Sequence, residues 1–500
     1  MTSQAVSSVN RQQLFWLVLL STCLLFLTCD LQPLFYSNQN TKFLHGLAQS
    51  GWGYLEDDWT ANTVDGLPVF TLLVRWTDEI GPLWLFYVEQ FLVYALYVWA
   101  AFLIFRRSSA WAMHAGWLTL LLFGAIFAML HYEQAVVGGV AKQLIVKTFL
   151  EPATFGGLAL LGIAAFLAGR PFLAALLVNA AAAMHAGYIA PGGFLLLGMA
   201  ACLPITPKAE RRTLVLAVLL GLALLGLDAF LLKLLFPSTS PEATAAATEY
   251  LARQRIPMHT DPLRWMNGEA AAKLILCLGA AWLTPNRRIA RVLVVGVIGI
   301  LATALLVIVV EANFVRLVSP WRVSVFLVPI AWAALLAWLL ERVLPWLKER
   351  GWFRRAVLAT AVASIALMAL GLKATVSHFS EDPPDYDPLM RAAIGPGQLY
   401  LTSPQATYFR LEYSVPQYVS NKTHPYLDVE VLEWLRRNRI ASALYDAESF
   451  DCTVLAKLRD EEKVTHVLVR DGEPAMSCPF AHELGANGGA KLYRLEPSPS

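Results

Sequence analysis

The chain has 500 residues, of which 57% are hydrophobic and 15% are charged, and its formal net charge at pH 7 is +2. Such an apolar composition leaves too little polar surface for a soluble globular protein and excludes that class. A near-zero net charge without a polybasic tail likewise gives no indication of a nucleic-acid partner.

Eleven apolar stretches follow one another between residues 14 and 372. A helix perpendicular to the membrane needs about 20 apolar residues, so the shorter stretches would be tilted, bent or re-entrant. The pattern predicts a polytopic α-helical membrane protein with about eleven transmembrane helices. The predicted spans are 14–29, 82–105, 111–130, 152–168, 171–185, 189–203, 214–235, 270–283, 292–310, 323–340 and 356–372.

Lysine and arginine concentrate in the short even-numbered gaps between these spans. Because cytoplasmic loops are rich in Lys and Arg, the asymmetry predicts a cytoplasmic amino terminus and an extracytoplasmic tail. Arg11 is the only basic residue before the first span, and no cleavage site of small residues follows that span. A retained helix is therefore predicted rather than a signal peptide. The basic residues in the even-numbered gaps are Arg106, Arg107, Arg170, Lys208, Arg211, Arg212, Arg287, Arg288, Arg291, Arg342, Lys348, Arg350, Arg354 and Arg355.

Two predicted exterior segments are long. The first loop, 30–81, belongs to the predicted transmembrane domain 1–372, and Phe43, Leu44 and Leu47 in it suit an amphipathic helix at the membrane interface. After a linker at 373–390, residues 391–500 alternate short apolar runs with helical patterns, which predicts a small extracytoplasmic α/β domain with a largely parallel sheet. Its predicted strands are 398–401, 417–420, 443–445, 464–469 and 491–495, and its predicted helices are 429–437 and 453–462.

Cysteines are few. Cys452 and Cys478 both lie in the predicted exterior tail, where an oxidising environment permits a disulfide if the geometry allows one. The other four, in or beside spans, would behave as small apolar groups. No CxxC or His/Cys cluster indicates a zinc site.

The first loop carries the most specific sequence. It reads Asn38-Gln-Asn-Thr-Lys-Phe-Leu-His-Gly-Leu-Ala48 and then Asp58-Trp-Thr-Ala-Asn-Thr63. With its long loop after the first span, its acidic motif and its outward tail, the chain resembles the GT-C superfamily of integral-membrane glycosyltransferases, which take sugars from polyprenyl-phosphate donors. Together with Pro320-Trp-Arg-Val-Ser-Val325 and His424-Pro-Tyr-Leu-Asp428, these segments are similar to an uncharacterised family of bacterial membrane proteins. The resemblance implies a bacterial inner-membrane location and an outward-facing active site.

Sugar transfer from a lipid phosphate needs a base that activates the acceptor hydroxyl. Many members of the superfamily place a carboxylate just after the first span, where this chain has Asn38, Gln39 and Asn40. Amides cannot take a proton from a hydroxyl near neutral pH. Asp58 is therefore predicted as the base, with Asp57 as the second choice. The alternative is that these acids only solvate a loop or cap a helix.

The reaction also needs cations to stabilise the departing phosphate. Arg316, Arg322, Lys142 and Lys147 lie at predicted outer ends of spans and are predicted to bind the donor phosphate. The alternative is that they extend to ordinary lipid head groups. The residues predicted to line the substrate cavity are Asn38, Asn40, His45, Trp59, Glu89, His131, Glu133 and His259.

The function predicted from the sequence is transfer of a sugar from a polyprenyl-phosphate donor to an exterior acceptor. The predicted partners are the bilayer and the lipid-linked sugar. No metal ligands are assigned, although the resemblance leaves room for a divalent metal. A non-catalytic protein that binds or moves a lipid-linked glycan is the alternative, which Asn38 and Asn40 favour. A secondary transporter is disfavoured because inverted repeats are not evident.

Overall fold

The computed structural model describes residues 9–382 and 384–497. The chain divides into two compact units. Of the described residues, the helical unit comprises 9–32, 86–232 and 248–378, and the mixed unit comprises 33–85, 233–247, 379–382 and 384–497. Most of the first loop therefore belongs to the same unit as most of the tail.

Long apolar helices build the helical unit around one hydrophobic core. Each of the eleven predicted spans overlaps one helix of at least ten residues. These helices are Arg11–Thr28, Leu85–Ser108, Trp117–Tyr132, Gly156–Leu167, Pro171–Met184, Ile189–Ala200, Lys208–Leu235, Gly268–Leu283, Arg287–Val310, Ser324–Glu349 and Phe353–Phe379. Asparagines at 10, 267 and 286 cap three of them by accepting backbone N–H groups of the first turn. Shorter helices of the unit are Ala110–Met113, Pro257–Thr260, Pro262–Trp265 and Asn313–Val318.

By length and composition, seven helical segments of the described chain are able to cross a membrane. They are Arg11–Thr28, Leu85–Ser108, Ala186–Ile205, Lys208–Leu235, Arg287–Val310, Asn313–Glu349 and Phe353–Phe379. Three further apolar helices, Trp117–Tyr132, Pro152–Leu167 and Pro171–Met184, are shorter. The prediction of a mostly helical chain with several membrane helices is confirmed at this level. The number of eleven spans stays a prediction.

One segment of the helical unit, between Tyr132 and Pro152, is irregular although most of it is buried. Val136, Val140 and Ile145 are at most 2% exposed, and a single bridge joins Gly138 to Leu144. Connecting segments usually run over the protein surface, and binding residues are disproportionately found on such segments. The segment is therefore a candidate for part of a functional site.

The mixed unit contains short helices and one small sheet. Its helices are Gln39–Lys42, Leu44–Gln49, Pro68–Ile80, Asp387–Ala393, Phe409–Tyr413, Asp428–Tyr445 and Cys452–Asp460, with most of Pro241–Glu249. Its strands are β1 (Tyr400–Leu401), β2 (His466–Arg470), β3 (Ala481–Asn487) and β4 (Ala490–Leu495). Within the predicted linker, residues 373–379 continue a long helix, and Tyr386 and Met390 are buried in a hydrophobic core of the mixed unit. Pro383 lies outside the described residues.

The sheet has the order β1-β2-β4-β3, and only β1 and β2 are parallel. The prediction of a largely parallel sheet is therefore wrong. Residues 443–445 end the helix Asp428–Tyr445, and Gln417 contributes only an isolated bridge to Tyr400. β3 and β4 form a hairpin through Gly488 and Gly489, whose φ angles of +54° and +72° suit a two-residue turn.

The predicted interfacial helix of the first loop is also corrected. Phe43, Leu44 and Leu47 have no exposed surface, because they are buried within the mixed unit. The helix Leu44–Gln49 lies close against the helix Pro68–Ile80, and a Cβ atom at Gly46 would come within 2.6 Å of Cβ of Val74. Apolar residues with helical spacing can be buried in a protein core as well as against a membrane surface, so the pattern alone does not distinguish the two.

A pH dependence is expected from His466 in β2. His466 is 4% exposed and stacks on the ring of Tyr400, with ring centroids 5.0 Å apart. Burial, with a smaller contribution from Arg494, lowers the pKa of His466 to about 4. The unfolded chain, whose histidines have a pKa near ~6.5, therefore binds an extra proton below that pH, and the free energy of unfolding falls as pH drops to about 4. We expect a loss of about 2 kcal/mol.

Urea unfolding of the full chain in lipid nanodiscs, followed by proteolysis of the tail at pH 7 and pH 4.5, measures this loss. His466→Gln removes this titrating group and should reduce the dependence by about 2 kcal/mol, leaving the part that His45 contributes. An identical loss in wild type and variant would exclude His466 as its source.

Candidate functional site

The mixed unit contains a polar pocket between its first-loop residues and a tail segment, here called the mixed-unit pocket. Its lining combines threonine hydroxyls, one ammonium group, one carboxylate and aromatic rings. The lining residues are Thr41, Lys42, His45, Thr60, Thr63, Val64, Asp65, Gly66, Leu67, Thr423, His424, Pro425 and Tyr426. Of the predicted site residues, only His45 lines it.

His45 is held by one hydrogen bond. It lies in the short helix Leu44–Gln49 and is partly buried, and its Nδ1 lies 3.0 Å from the carbonyl oxygen of Ala61. Burial lowers its pKa, against the opposing effects of the Asp65 and Asp58 carboxylates and of the bond to Ala61, while Lys42 lowers it further. The side chain is therefore a neutral imidazole near pH 7.

Asp58, the predicted base, is sealed inside the mixed unit. Its carboxylate has no exposed surface, and Oδ2 accepts a hydrogen bond of 2.6 Å from Nε of Arg410, itself 1% exposed. Oδ2 also accepts from the backbone of Gln417, and Oδ1 accepts from the backbones of Thr60 and Ala61. An acceptor hydroxyl cannot reach this carboxylate in the described conformation, and the geometry gives Asp58 a structural role. Its catalytic role stays a prediction.

The remaining first-loop candidates also lie outside the lining of the mixed-unit pocket. Asp57 is exposed in the short helical turn Leu55–Asp57. The guanidinium of Arg437 lies over the ring of Trp59, 4.3 Å from its centroid. Asn40 is 2% exposed and donates to the carbonyl oxygens of Phe35 and Ser37, which fixes the local turn. Asn38 accepts a backbone hydrogen bond from Lys42.

The helical unit contains a second pocket, here called the helical-unit pocket. The irregular segment described above forms one wall, and the beginning of the helix Gly268–Leu283 forms another. Its lining residues are Gly139, Val140, Ala141, Lys142, Met258, Trp265, Asn267, Glu269, Ala270 and Lys273. Lys273 Nζ donates to the carbonyl oxygen of Gly139 at 3.0 Å and pairs with Glu269 at 2.6 Å. Lys142 is exposed and has a positive φ of +52°.

The four predicted phosphate-binding cations have different surroundings. Lys142 lines the helical-unit pocket, whereas Lys147 forms an ion pair of 2.9 Å with Glu151. Arg316 is 5% exposed and pairs with Asp261 at 3.2 Å.

Two histidines of the helical unit lie close to these residues, one beside Arg322 and one beside the irregular segment that carries Lys142. Arg322 Nη1 lies 3.2 Å from Nε2 of His185. His259 is bonded to the carbonyl oxygen of Ala141 through Nδ1 at 2.7 Å, so it supports the wall of the pocket without lining it.

The other predicted cavity residues are not brought together with these. His131 is 7% exposed, lies 3.1 Å from the sulfur of Cys29 and is flanked by the rings of Tyr94 and Tyr97. Glu133 is exposed, and Glu89 is partly exposed within the helix Leu85–Ser108. Over residues 9–382 and 384–497, no group of three or more His, Cys, Asp or Glu side chains is placed to hold a metal ion.

Sequence reasoning missed Arg410 and the partners of Lys273, which are Gly139 and Glu269. Arg410 carries no local signal, because an arginine in a short helix such as Phe409–Tyr413 is most often exposed. Lys273 does carry one, since a lysine inside a predicted span is costly unless it has a partner or a function.

The described residues define a mostly helical protein with several candidate membrane helices and a small mixed unit. No protein-family model matches the chain, and comparison with curated proteins finds no match. Among solved structures, the fold is similar to the crystal structure of the Archaeoglobus fulgidus oligosaccharyltransferase in the apo form. The TM-score is 0.46 at 12% sequence identity, with 92% of this chain and 70% of that chain covered, and it carries no assignment of family.

Proposed function

We propose that the protein transfers a sugar from a polyprenyl-phosphate donor to a hydroxyl-bearing acceptor on the exterior side of a bacterial inner membrane. The observation that carries the proposal is the helical-unit pocket. Its lining combines Lys142 of the irregular segment with Lys273, which lies inside the predicted span 270–283. An ionisable residue inside a membrane span is costly and marks a functional site by default, and Lys273 is such a residue if the predicted span crosses the membrane.

Lys142 is the residue assigned to the donor phosphate. The ammonium of Lys273 already donates to Gly139 and Glu269, whereas Lys142 lines the pocket and is exposed. During transfer, the bond between the anomeric carbon and the phosphate oxygen breaks and its electron pair leaves with the phosphate. A cation beside that oxygen stabilises the developing charge.

The exterior location of the tail has its own support. Cys452 and Cys478 form a disulfide. Disulfides persist in oxidising compartments and are rare in the cytoplasm. Together with the crowding of Lys and Arg in the even-numbered gaps, this supports an extracytoplasmic tail and a cytoplasmic amino terminus.

Donor binding tests the proposal. The full chain in lipid nanodiscs is titrated with a panel of polyprenyl-phosphate sugars. Lys142→Gln should weaken binding about 10-fold or more, since it removes one charge-assisted hydrogen bond. Lys208→Gln is the matched control, because Lys208 is exposed at the start of the helix Lys208–Leu235, in a gap predicted to be cytoplasmic, and it should bind nearly as wild type does. Equal binding by Lys142→Gln and wild type would place the donor elsewhere.

A second function is favoured by the sealed position of Asp58. A protein that binds or moves a lipid-linked glycan without reacting with it needs no base, and the predicted base is engaged in an ion pair. Retained donor binding without sugar transfer to any acceptor, together with movement of the donor between vesicles, would establish that function. Transfer of the sugar would establish the enzyme.

A further inference from the structure

We propose that residues 342–355 of the helical unit, here called the basic hairpin, bind the head group of an anionic phospholipid. The basic hairpin joins the end of the helix Ser324–Glu349 to the start of the helix Phe353–Phe379. Both helices belong to candidate membrane spans, so the turn between them lies at a bilayer surface. In the predicted topology this is the cytoplasmic surface. Such binding does not depend on sugar transfer.

The turn of the basic hairpin is short and closed by hydrogen bonds. Three residues separate the two helices, and the middle one, Gly351, has a positive φ of +67° that favours glycine. The backbone N–H of Trp352 donates to the carbonyl oxygen of Leu347 at 2.8 Å. The polar ends of both helices are therefore held side by side at one surface of the bilayer.

The basic hairpin carries positive charge that the protein does not compensate. Between residues 341 and 355 there are five basic and two acidic side chains, a net charge of +3. All five basic side chains are exposed, and over residues 9–382 and 384–497 none of them forms an ion pair. At a bilayer surface, the phosphates of anionic lipids supply the counter-charge. The five residues are Arg342, Lys348, Arg350, Arg354 and Arg355.

Aromatic rings lie beside these cations. The guanidinium of Arg350 is 5.9 Å from the ring centroid of Trp346, and Lys348 Nζ is 5.3 Å from that of Phe353. Trp346 packs edge to face against Trp352, with centroids 5.7 Å apart, and both tryptophans are exposed. Exposed tryptophan is typical of the membrane interface, so these rings place the cations at the depth of the head groups.

An apolar strip continues from the cations along the last helix. Leu358, Val362 and Ile365 follow Arg354 at intervals of four, four and three residues, which places all four on one helix face. The three apolar side chains are at least 58% exposed. A phospholipid has the same order of groups, a phosphate followed by acyl chains. A soluble polyanion could satisfy the cations but not the apolar strip, and the lipid is therefore favoured.

The last helix has few protein contacts, so a bound lipid would help to hold it. Of the residues in Phe353–Phe379, only Ser364 and Gly371 are buried. At Gly371, a Cβ atom would come within 2.5 Å of the carbonyl oxygen of Thr28, which marks a close approach to the first helix. Gly371 lies about 27 Å along the helix from Phe353. Lipid at the basic hairpin would fix the opposite end.

Photoactivatable lipids test the site directly. The full chain is placed in phosphatidylcholine nanodiscs with a trace of phosphatidylglycerol or phosphatidylcholine that carries a diazirine on an acyl chain. After illumination, mass spectrometry maps the labelled residues. In wild type, phosphatidylglycerol should label residues 350–365 about 5-fold or more above phosphatidylcholine, because one cation near an anionic lipid contributes roughly that factor in affinity.

Two triple variants separate a specific site from net charge. Arg350→Gln, Arg354→Gln, Arg355→Gln should lower the labelling by phosphatidylglycerol to that by phosphatidylcholine, and lysine at the same three positions should restore most of the difference. Another triple variant, with Gln at three exposed cations outside the basic hairpin, is the matched control and should label as wild type does. Its substitutions are Lys208→Gln, Arg212→Gln and Arg287→Gln.

Three outcomes would overturn the anionic-lipid site. The first is equal labelling of residues 350–365 by the two lipids in wild type. The second is an equal loss in both glutamine variants, which would reduce the effect to net charge. The third is displacement of phosphatidylglycerol by a DNA oligonucleotide or by polyglutamate, which would assign the basic hairpin to a soluble polyanion. Loss of sugar transfer is not part of the readout, so failure of the proposed function would leave this test intact.

Discussion

Replacing Arg410 with alanine is expected to lower the free energy of unfolding of the mixed unit by about 3–5 kcal/mol, the cost typical of removing one partner of a buried ion pair. The loss leaves the carboxylate of Asp58 inside the protein without a counter-charge. Arg410 also donates to Gln417 O at 3.1 Å and to Thr60 Oγ1 at 3.2 Å, and these acceptors would lose a partner as well. Urea unfolding in nanodiscs, followed by proteolysis of the tail, measures the change.

An exposed ion pair in the same unit gives the control. Arg75 and Glu79 are 2.6 Å apart, with side chains 42% and 41% exposed, and Arg75→Ala should cost less than about 0.5 kcal/mol. Replacing Asp58 with Asn and Arg410 with Met together should cost less than Arg410→Ala, because no charge is then left buried alone. The structural role of the pair would be refuted if Arg410→Ala and Arg75→Ala had equal effects.

This expectation bears on any test of Asp58 as a base. Asp58→Asn leaves Arg410 buried without its counter-charge, so the variant is expected to lose activity through unfolding even if Asp58 never contacts a substrate. A loss of transfer identifies a base only when the variant unfolds at the same urea concentration as wild type.

The environment of Asp58 could not be predicted from the sequence. Glu56, Asp57 and Asp58 form an acidic run, yet only Asp58 is buried, and its partner Arg410 lies 352 residues away. Local sequence shows that carboxylates are present, but the tertiary contacts of the mixed unit decide which of them is desolvated. The same limit applies to Arg410, which no local pattern marks as the partner.

The helices were predictable because a long apolar run is a local property. Each predicted span overlaps a helix, but the predicted spans omit the polar residues at the ends of these helices. The span predicted at 323–340 corresponds to the helix Ser324–Glu349, which continues through polar residues after the apolar run ends. The apolar run predicts the part of a helix that a membrane can bury, whereas helical backbone hydrogen bonds can continue past the end of that run.

The sheet was harder to predict because its strands are short and unequal in burial. β2 is an almost continuous buried run and was predicted near its observed position. β3 is exposed over most of its length, so it lacks the alternation that identifies a strand. Without β3, the chain order of helices and strands suggested a parallel sheet. Once β3 pairs with β4 in a hairpin, antiparallel pairing predominates.

The disulfide is the second feature whose removal should have a large effect. Cys452 begins the helix Cys452–Asp460, and Cys478 is 4% exposed just before β3. The bond closes a loop with a sequence separation of 26 residues. Backbone hydrogen bonds between Phe450 and Ala475 and between Ala475 and Glu448 tie the same loop, so the cross-link joins segments that already pair.

The double variant Cys452→Ser, Cys478→Ser should lower the free energy of unfolding of the mixed unit by about 3.5 kcal/mol, since the loop gains freedom in the unfolded chain. Reduction of wild type with dithiothreitol should reproduce the loss, because it removes the same cross-link. Cys23→Ser is the control, because Cys23 is a free thiol in the helical unit and should leave unfolding of the mixed unit unchanged. If the double variant unfolds at the same urea concentration as wild type, the cross-link adds nothing to the stability of the mixed unit.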